Sequence, residues 1–126
     1  MATTVLGMSK RTAVSAMGAS AAIFGGAGLL APRALGAAYA VPESPHTAQL
    51  LRLFGSRMLA LAAWTFTART DDEVDRVLAV AAGMNVLDSL TALAAAGGTG
   101  RSAGVRAAVT SGTFAALALA VRSLDG

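Results

Sequence analysis

Long apolar stretches alternate with short polar ones along the chain, and the alternation predicts four helices. Between Arg11 and Arg33 lie 21 residues without a charge, and three further apolar runs occupy about 50–68, 74–96 and 103–121. Each is close to the ~20 residues that an α-helix needs to cross the hydrocarbon of a bilayer. The expected architecture is therefore all-α, a four-helix transmembrane bundle with helices at about 12–31, 50–68, 71–96 and 103–121. The loops between the second and third helices and between the third and fourth are short. Residues 1–11 form a polar tail, and 12–126 form a single four-helix membrane domain.

The second and third helices each carry one charge well inside the apolar run, Arg57 and Asp88. A charge at the centre of a span costs roughly 2.5–3.5 kcal/mol, so it is rarely left facing lipid. In an antiparallel hairpin the two fall within about 7 Å in depth, an offset that an arginine can bridge. Asn85, Ser89 and Thr91 recur at helical spacing around Asp88 and offer a supporting polar face. One reading is a structural clasp between helices. The other is a titrating or substrate-contacting carboxylate in a transport path.

Local signals mark the ends of the helices. Thr70-Asp71-Asp72-Glu73 reads as a capping box opening the third helix, with acidic residues suited to its positive end. Gly97-Gly98-Thr99-Gly100 closes that helix. The longest connection, 34–49, is bounded and interrupted by Pro32, Pro42 and Pro45, which argue against a continuing helix. Arg52 snorkels to the headgroups, while Tyr39, Trp64 and Phe66 suit the membrane interface. Gly18, Ala22 and Gly26 fall four apart on the first helix. On the fourth, Gly104, Ala108, Gly112, Ala116 and Ala120 form a longer ladder of small residues, a helix-packing seam. The ladder faces the first helix or a second copy of the chain.

Composition narrows the class. Hydrophobic residues make up 55% of the chain and charged residues 13%, against about 25% charged in soluble domains. Ten Lys/Arg and seven Asp/Glu cannot supply a charged face to each of four soluble helices. Alanine, at 31 residues, drives insertion far less than leucine and weakens that inference. Nine arginines to one lysine, with abundant Ala and Gly, suit a GC-rich bacterial source. No basic cluster interleaved with aromatics supports nucleic-acid binding. There is no cysteine, hence no disulfide or thiol chemistry. His46 stands alone outside the spans, so neither a metal nor a haem is expected and no cofactor is implied. No P-loop, dinucleotide loop or catalytic set is present.

Two readings fit the N-terminal run. Lys10-Arg11, the apolar middle and Ala38-Tyr39-Ala40 together outline a cleavable signal, whereas the glycine seam fits a retained span. Basic residues divide almost evenly between the two sides, so orientation rests on Lys10-Arg11 and favours cytoplasmic termini in the inner membrane of the cell.

The run 28–42 (GLLAPRALGAAYAVP), the run 52–62 (RLFGSRMLALA) and the mid-helix Asp88 resemble a family of small four-helix bacterial membrane proteins known as a domain of unknown function and loosely DoxX-like. In that pattern the first helix ends at a proline, and an R-x-x-G-x-R stretch, here Arg52, Gly55 and Arg57, opens the second. The similarity covers roughly positions 20 to 120. It implies a retained first helix and carries no assigned activity. The family pattern often places an acid after the second arginine, where this chain has Met58, leaving Asp88 as the partner of Arg57. The DoxX-like comparison adds a membrane enzyme acting on quinones, for which this chain has no redox group of its own.

The functional expectation is a non-enzymatic integral membrane protein that acts structurally or by binding a partner, with the lipid bilayer, a membrane protein or a second copy as its contacts. The alternative is a small proton-linked transporter or carrier using Arg57, Asn85 and Asp88.

Overall fold

Three hydroxyl side chains start three of the helices. Ser9 Oγ accepts from the Thr12 amide at 3.3 Å, Ser44 Oγ from the Thr47 amide at 3.0 Å, and Thr70 Oγ1 from the Glu73 amide at 3.1 Å. Each satisfies one of the free donors at a helix N-terminus. Proline supplies the other signal. Pro32 and Pro45 stand at the first position of a helix, where a missing N–H costs nothing and the fixed φ is already helical.

The computed structural model describes residues 2–125, without the side chains of residues 96 and 99. Among them are five helices: α1 (Lys10–Leu30), α2 (Pro32–Ala38), α3 (Pro45–Thr67), α4 (Asp71–Thr99) and α5 (Arg101–Arg122). A two-stranded antiparallel hairpin, β1 (Thr4–Val5) and β2 (Met8–Ser9), precedes them. Leu6 and Gly7 form its two-residue turn with φ of 51° and 77°, the handedness that such tight hairpins require.

Several boundaries differ from those read in the sequence. The polar tail contains the hairpin, and the long 34–49 connection is mostly helical. Pro32 and Pro45 begin helices, so α3 starts five residues before position 50, while Pro42 lies in the non-helical stretch that separates α2 from α3. At the far end of α4, Gly97 and Gly98 stay helical, and Gly100, with φ of 101°, makes the turn. A backbone angle of that sign is open to glycine and strained for other residues.

The fold is all-helical. α1, α4 and α5 are long and apolar enough to cross a membrane. α3, which was expected to be a span of the same kind, carries His46, Gln49, Arg52 and Arg57 and is not among the three. The long helices pack as two antiparallel pairs, α1 with α3 and α4 with α5, with sparser contact between the pairs.

The α1–α3 pair is held at glycine. A Cβ on Gly28 would come within 2.6 Å of the Leu51 carbonyl oxygen, and one on Gly55 within 2.7 Å of the Gly25 carbonyl oxygen. Backbone therefore meets backbone, the close approach that small residues permit. The seam runs along Gly18, Ala21, Gly25 and Gly28, all buried. It is rotated from the Gly18–Ala22–Gly26 line, and a Cβ on Gly26 would meet nothing within 4 Å.

The fourth-helix ladder packs against α4, not α1. Ser89 Oγ donates to the Ala108 carbonyl at 3.0 Å, and a Cβ on Gly112 would lie 3.5 Å from the same hydroxyl. Gly104 is buried, but Ala116 is exposed. Four residues turn a helix through about 400°, so a line of every fourth residue drifts around the axis. By its last steps the contact face has passed to Ala115 and Ala118, both buried.

The two pairs join at the end that holds the chain termini. There Ala13 and Val14 of α1, Leu78 and Ala82 of α4, and Ala118 and Val121 of α5 form one buried cluster. Lys10 lies beside it, 7% exposed. Its Nζ reaches Asp75 Oδ1 at 2.7 Å and donates to the carbonyl oxygens of Arg122 and Leu124 at 3.3 and 3.2 Å. Arg122 Nε donates to the Asp75 carbonyl at 3.1 Å. A single ammonium thus gathers α1, α4 and the end of α5.

A candidate site in the cleft between the helix pairs

Toward the other end the pairs diverge and leave a cavity of about 210 Å³. All five helices contribute to its wall. Rings come from Phe24 of α1, Phe54 of α3, Phe114 of α5 and Tyr39, which caps α2. Phe24 and Phe114 meet edge to face, their centroids 6.1 Å apart and their planes at 87°, an arrangement favoured by the ring quadrupoles. Four of the six aromatic residues in the chain therefore line one cavity. Tyr39, read from the sequence as a headgroup anchor, forms part of this wall. Arg106 Nη1 of α5 donates to the Ala38 carbonyl at 2.9 Å and ties α5 to α2.

The polar atoms on this wall belong chiefly to α4 and α5. Asp88 and Asn85 project from α4, and Thr110 and Ser111 from α5. Asp88 Oδ2 accepts from Arg57 Nη2 at 2.7 Å, with a longer second contact of 3.4 Å from Nη1 to Oδ1. Arg57 itself does not line the cavity. Its guanidinium lies 5.6 Å from the centroid of Phe54, and its side chain is 43% exposed against 28% for that of Asp88. Asp88 thus stands between two neighbours, the guanidinium outside and the cavity within.

The three residues expected to surround the ion pair separate from it. Asn85 Nδ2 donates to the Ala81 carbonyl of its own helix at 2.8 Å and lines the cavity. Ser89 turns to α5. Thr91 is exposed and donates to the carbonyls of Leu87 and Asp88 at 2.9 and 3.1 Å. None of the three bonds to the Arg57 or Asp88 side chain among the described residues. At about 100° per residue, positions 85, 88, 89 and 91 spread over more than one face. Short hydroxyl side chains also satisfy themselves on the preceding turn.

Sequence reasoning missed the ring of aromatics and the Lys10–Asp75 contact. Signals for both were present. Phe24 and Phe114 lie inside apolar runs rather than at their ends, where an interfacial belt would put them. Lys10 is the single lysine in a chain that otherwise uses arginine.

Comparison of the chain with protein families, with curated proteins and with solved structures finds no match.

Proposed function

We propose that the chain is a multi-pass integral membrane protein of four spans, α3 being the fourth, without enzymatic activity, acting through a membrane partner or a second copy of itself. The observation behind this reading is an inside-out distribution of side-chain size. The interior is largely alanine and glycine, with few bulky groups. Large apolar side chains project outward instead, among them Ile23 and Leu30 on α1, Leu50, Leu53 and Phe66 on α3, Leu87 and Leu90 on α4, and Val109 and Leu119 on α5. In water such a surface would exceed what soluble monomers expose. In lipid it costs nothing, and small residues inside let the helices approach. That α3 shares the pattern favours counting it with the other three.

The bacterial inner membrane with cytoplasmic termini is the proposed setting. Docking of α1 on α3 through Gly25, Gly28 and Gly55 favours retention of the first helix. The intact mass of the purified protein tests that directly, since cleavage near position 40 would remove α1. Chemical crosslinking and native mass measurement in mild detergent test the mode of action. A co-purifying partner or a defined oligomer is expected, and a strict monomer without one would overturn it.

A carrier is the second reading, favoured by Asp88 at the cavity wall. Proton-linked uptake into vesicles should then be lost in Asp88→Asn. Uptake unchanged by that substitution removes the carrier reading.

A further inference from the structure

We propose that the cavity is a binding site for a small organic cation with an aromatic or compact apolar body, and that Arg57 is the internal group with which that cation competes for Asp88. The inference deepens the reading of the cleft as the functional site and does not rest on α3 crossing a bilayer.

Three observations carry it. The wall brings together Phe24, Tyr39, Phe54 and Phe114, and Asp88 lines the same space. Rings around a carboxylate attract a cation twice, through the negative ring faces and through its charge. They offer little to an anion.

Second, the guanidinium that neutralises Asp88 lies outside the cavity and is partly exposed. Among the described residues the Arg57 side chain hydrogen-bonds only to Asp88, so a cation arriving from within exchanges with it without opening a wider network. The guanidinium already rests near the Phe54 ring, a second place for its charge once Asp88 is released.

Third, the size is restrictive. Drug-sized pockets run from roughly 300 to 1,000 Å³, whereas a dry cavity of about 150 Å³ takes a single benzene. At about 210 Å³ the space fits one ring with a small alkylammonium head. Asn85, Thr110 and Ser111 add polar atoms beside that head.

Benzyltrimethylammonium is the probe and neopentylbenzene its uncharged isostere, measured by titration calorimetry on the full chain in mild detergent. Saturable binding of one cation per chain is expected, with the isostere at least about tenfold weaker. Asp88→Asn should lose about tenfold or more, while Arg57→Gln should bind about two- to fivefold tighter because the competitor is gone. Should Asp88→Asn fail to fold, Tyr39→Leu carries the test, and weaker cation binding is expected there. The proposal is overturned if the folded wild type shows no saturable binding, if the isostere binds equally well, or if Asp88→Asn binds like wild type. A chain that stays dispersed without detergent would sink the membrane reading alone, since the same titration can then be run in buffer.

Discussion

Lys10–Asp75 and Arg57–Asp88 join the same two halves of the molecule, one at the end that holds the termini and one at mid-length, with the same N–O distance of 2.7 Å. Their surroundings differ. Lys10 is buried, shares two further carbonyl acceptors and sits against an apolar cluster drawn from three helices. Arg57 is largely open to its surroundings, and its partner borders a cavity. A cation paired with a carboxylate thus serves two levels of one framework, and the difference lies in the cation, since the Asp75 side chain is 35% exposed against 28% for Asp88. Where the cation is buried and each of its donors is used, the pair fixes the packing. Where the cation is open and a cavity adjoins its partner, the pair is free to exchange.

The largest effect is expected at the enclosed end. Lys10→Met removes the ammonium that Asp75 Oδ1 and two carbonyl oxygens share there, and it leaves the carboxylate without its cation. Removing one partner of a buried pair typically costs about 3–5 kcal/mol. Asp75 is about one-third exposed, so the lower figure applies. Thermal unfolding in detergent, followed by circular dichroism, measures it. A loss below about 1 kcal/mol, the range of surface pairs, would erase the distinction between the two ion pairs.

Next comes the seam inside one half. Gly55→Ala puts a methyl group 2.7 Å from the Gly25 carbonyl oxygen and 2.8 Å from the Leu29 nitrogen. Neither is the tip of a flexible side chain, so the helices themselves must separate. Overpacking of this kind costs about 1–3 kcal/mol. Gly26→Ala, on the same helix with open space around it, is the control and should leave the melting temperature within a degree or two. Helix propensity favours alanine at both positions, so equal losses in the two variants would mean that the close approach at Gly55 is not what is being measured.

How much of this was legible beforehand follows from the reach of each signal. Local chemistry was readable: the reciprocal contacts of Thr70 and Glu73, the amide of Thr70 donating back to Glu73 Oε2 at 3.1 Å, depend on four consecutive residues. Apolar run length was readable too, and it located α1, α4 and α5. Proline misled because its effect depends on position. Inside a helix it breaks the ladder, but at Pro32 and Pro45 it stands where no ladder bond is due. The rotation of each seam was not readable, since an interval of four fits a 3.6-residue period for only two or three steps. The cavity was least legible of all. Its wall takes single residues from segments more than eighty positions apart, and no window along the chain contains Phe24 together with Phe114.

A smaller effect tests whether the helix ends act independently of either ion pair. Thr70→Ala removes the hydroxyl that accepts the Glu73 amide at the start of α4. Loss of such a cap costs about 1 kcal/mol. Because Asp75 lies in the second turn of the same helix, fraying could loosen the Lys10 contact as well. The double variant Thr70→Ala, Lys10→Met should lose no more than the sum of the single variants. A loss well beyond that sum would show that the cap and the ammonium compensate for one another.

The open ion pair should give the smallest stability effect, and it bears most directly on the comparison. In a double-mutant cycle of Arg57→Gln and Asp88→Asn the coupling is expected to be about 1 kcal/mol or less, as for pairs that remain accessible. Raising the ionic strength should lower it further. Asp88→Asn alone then leaves the fold in place, which the cation titration requires. A coupling of about 3 kcal/mol, insensitive to salt, would instead mean that no water reaches the pair from the cavity beside Asp88 and that α3 carries it in dry hydrocarbon, where an unpaired charge costs that much. Arg57 would then be a second structural clasp, too firmly held to exchange with a ligand, and the two ion pairs would differ only in the shape of the space beside them.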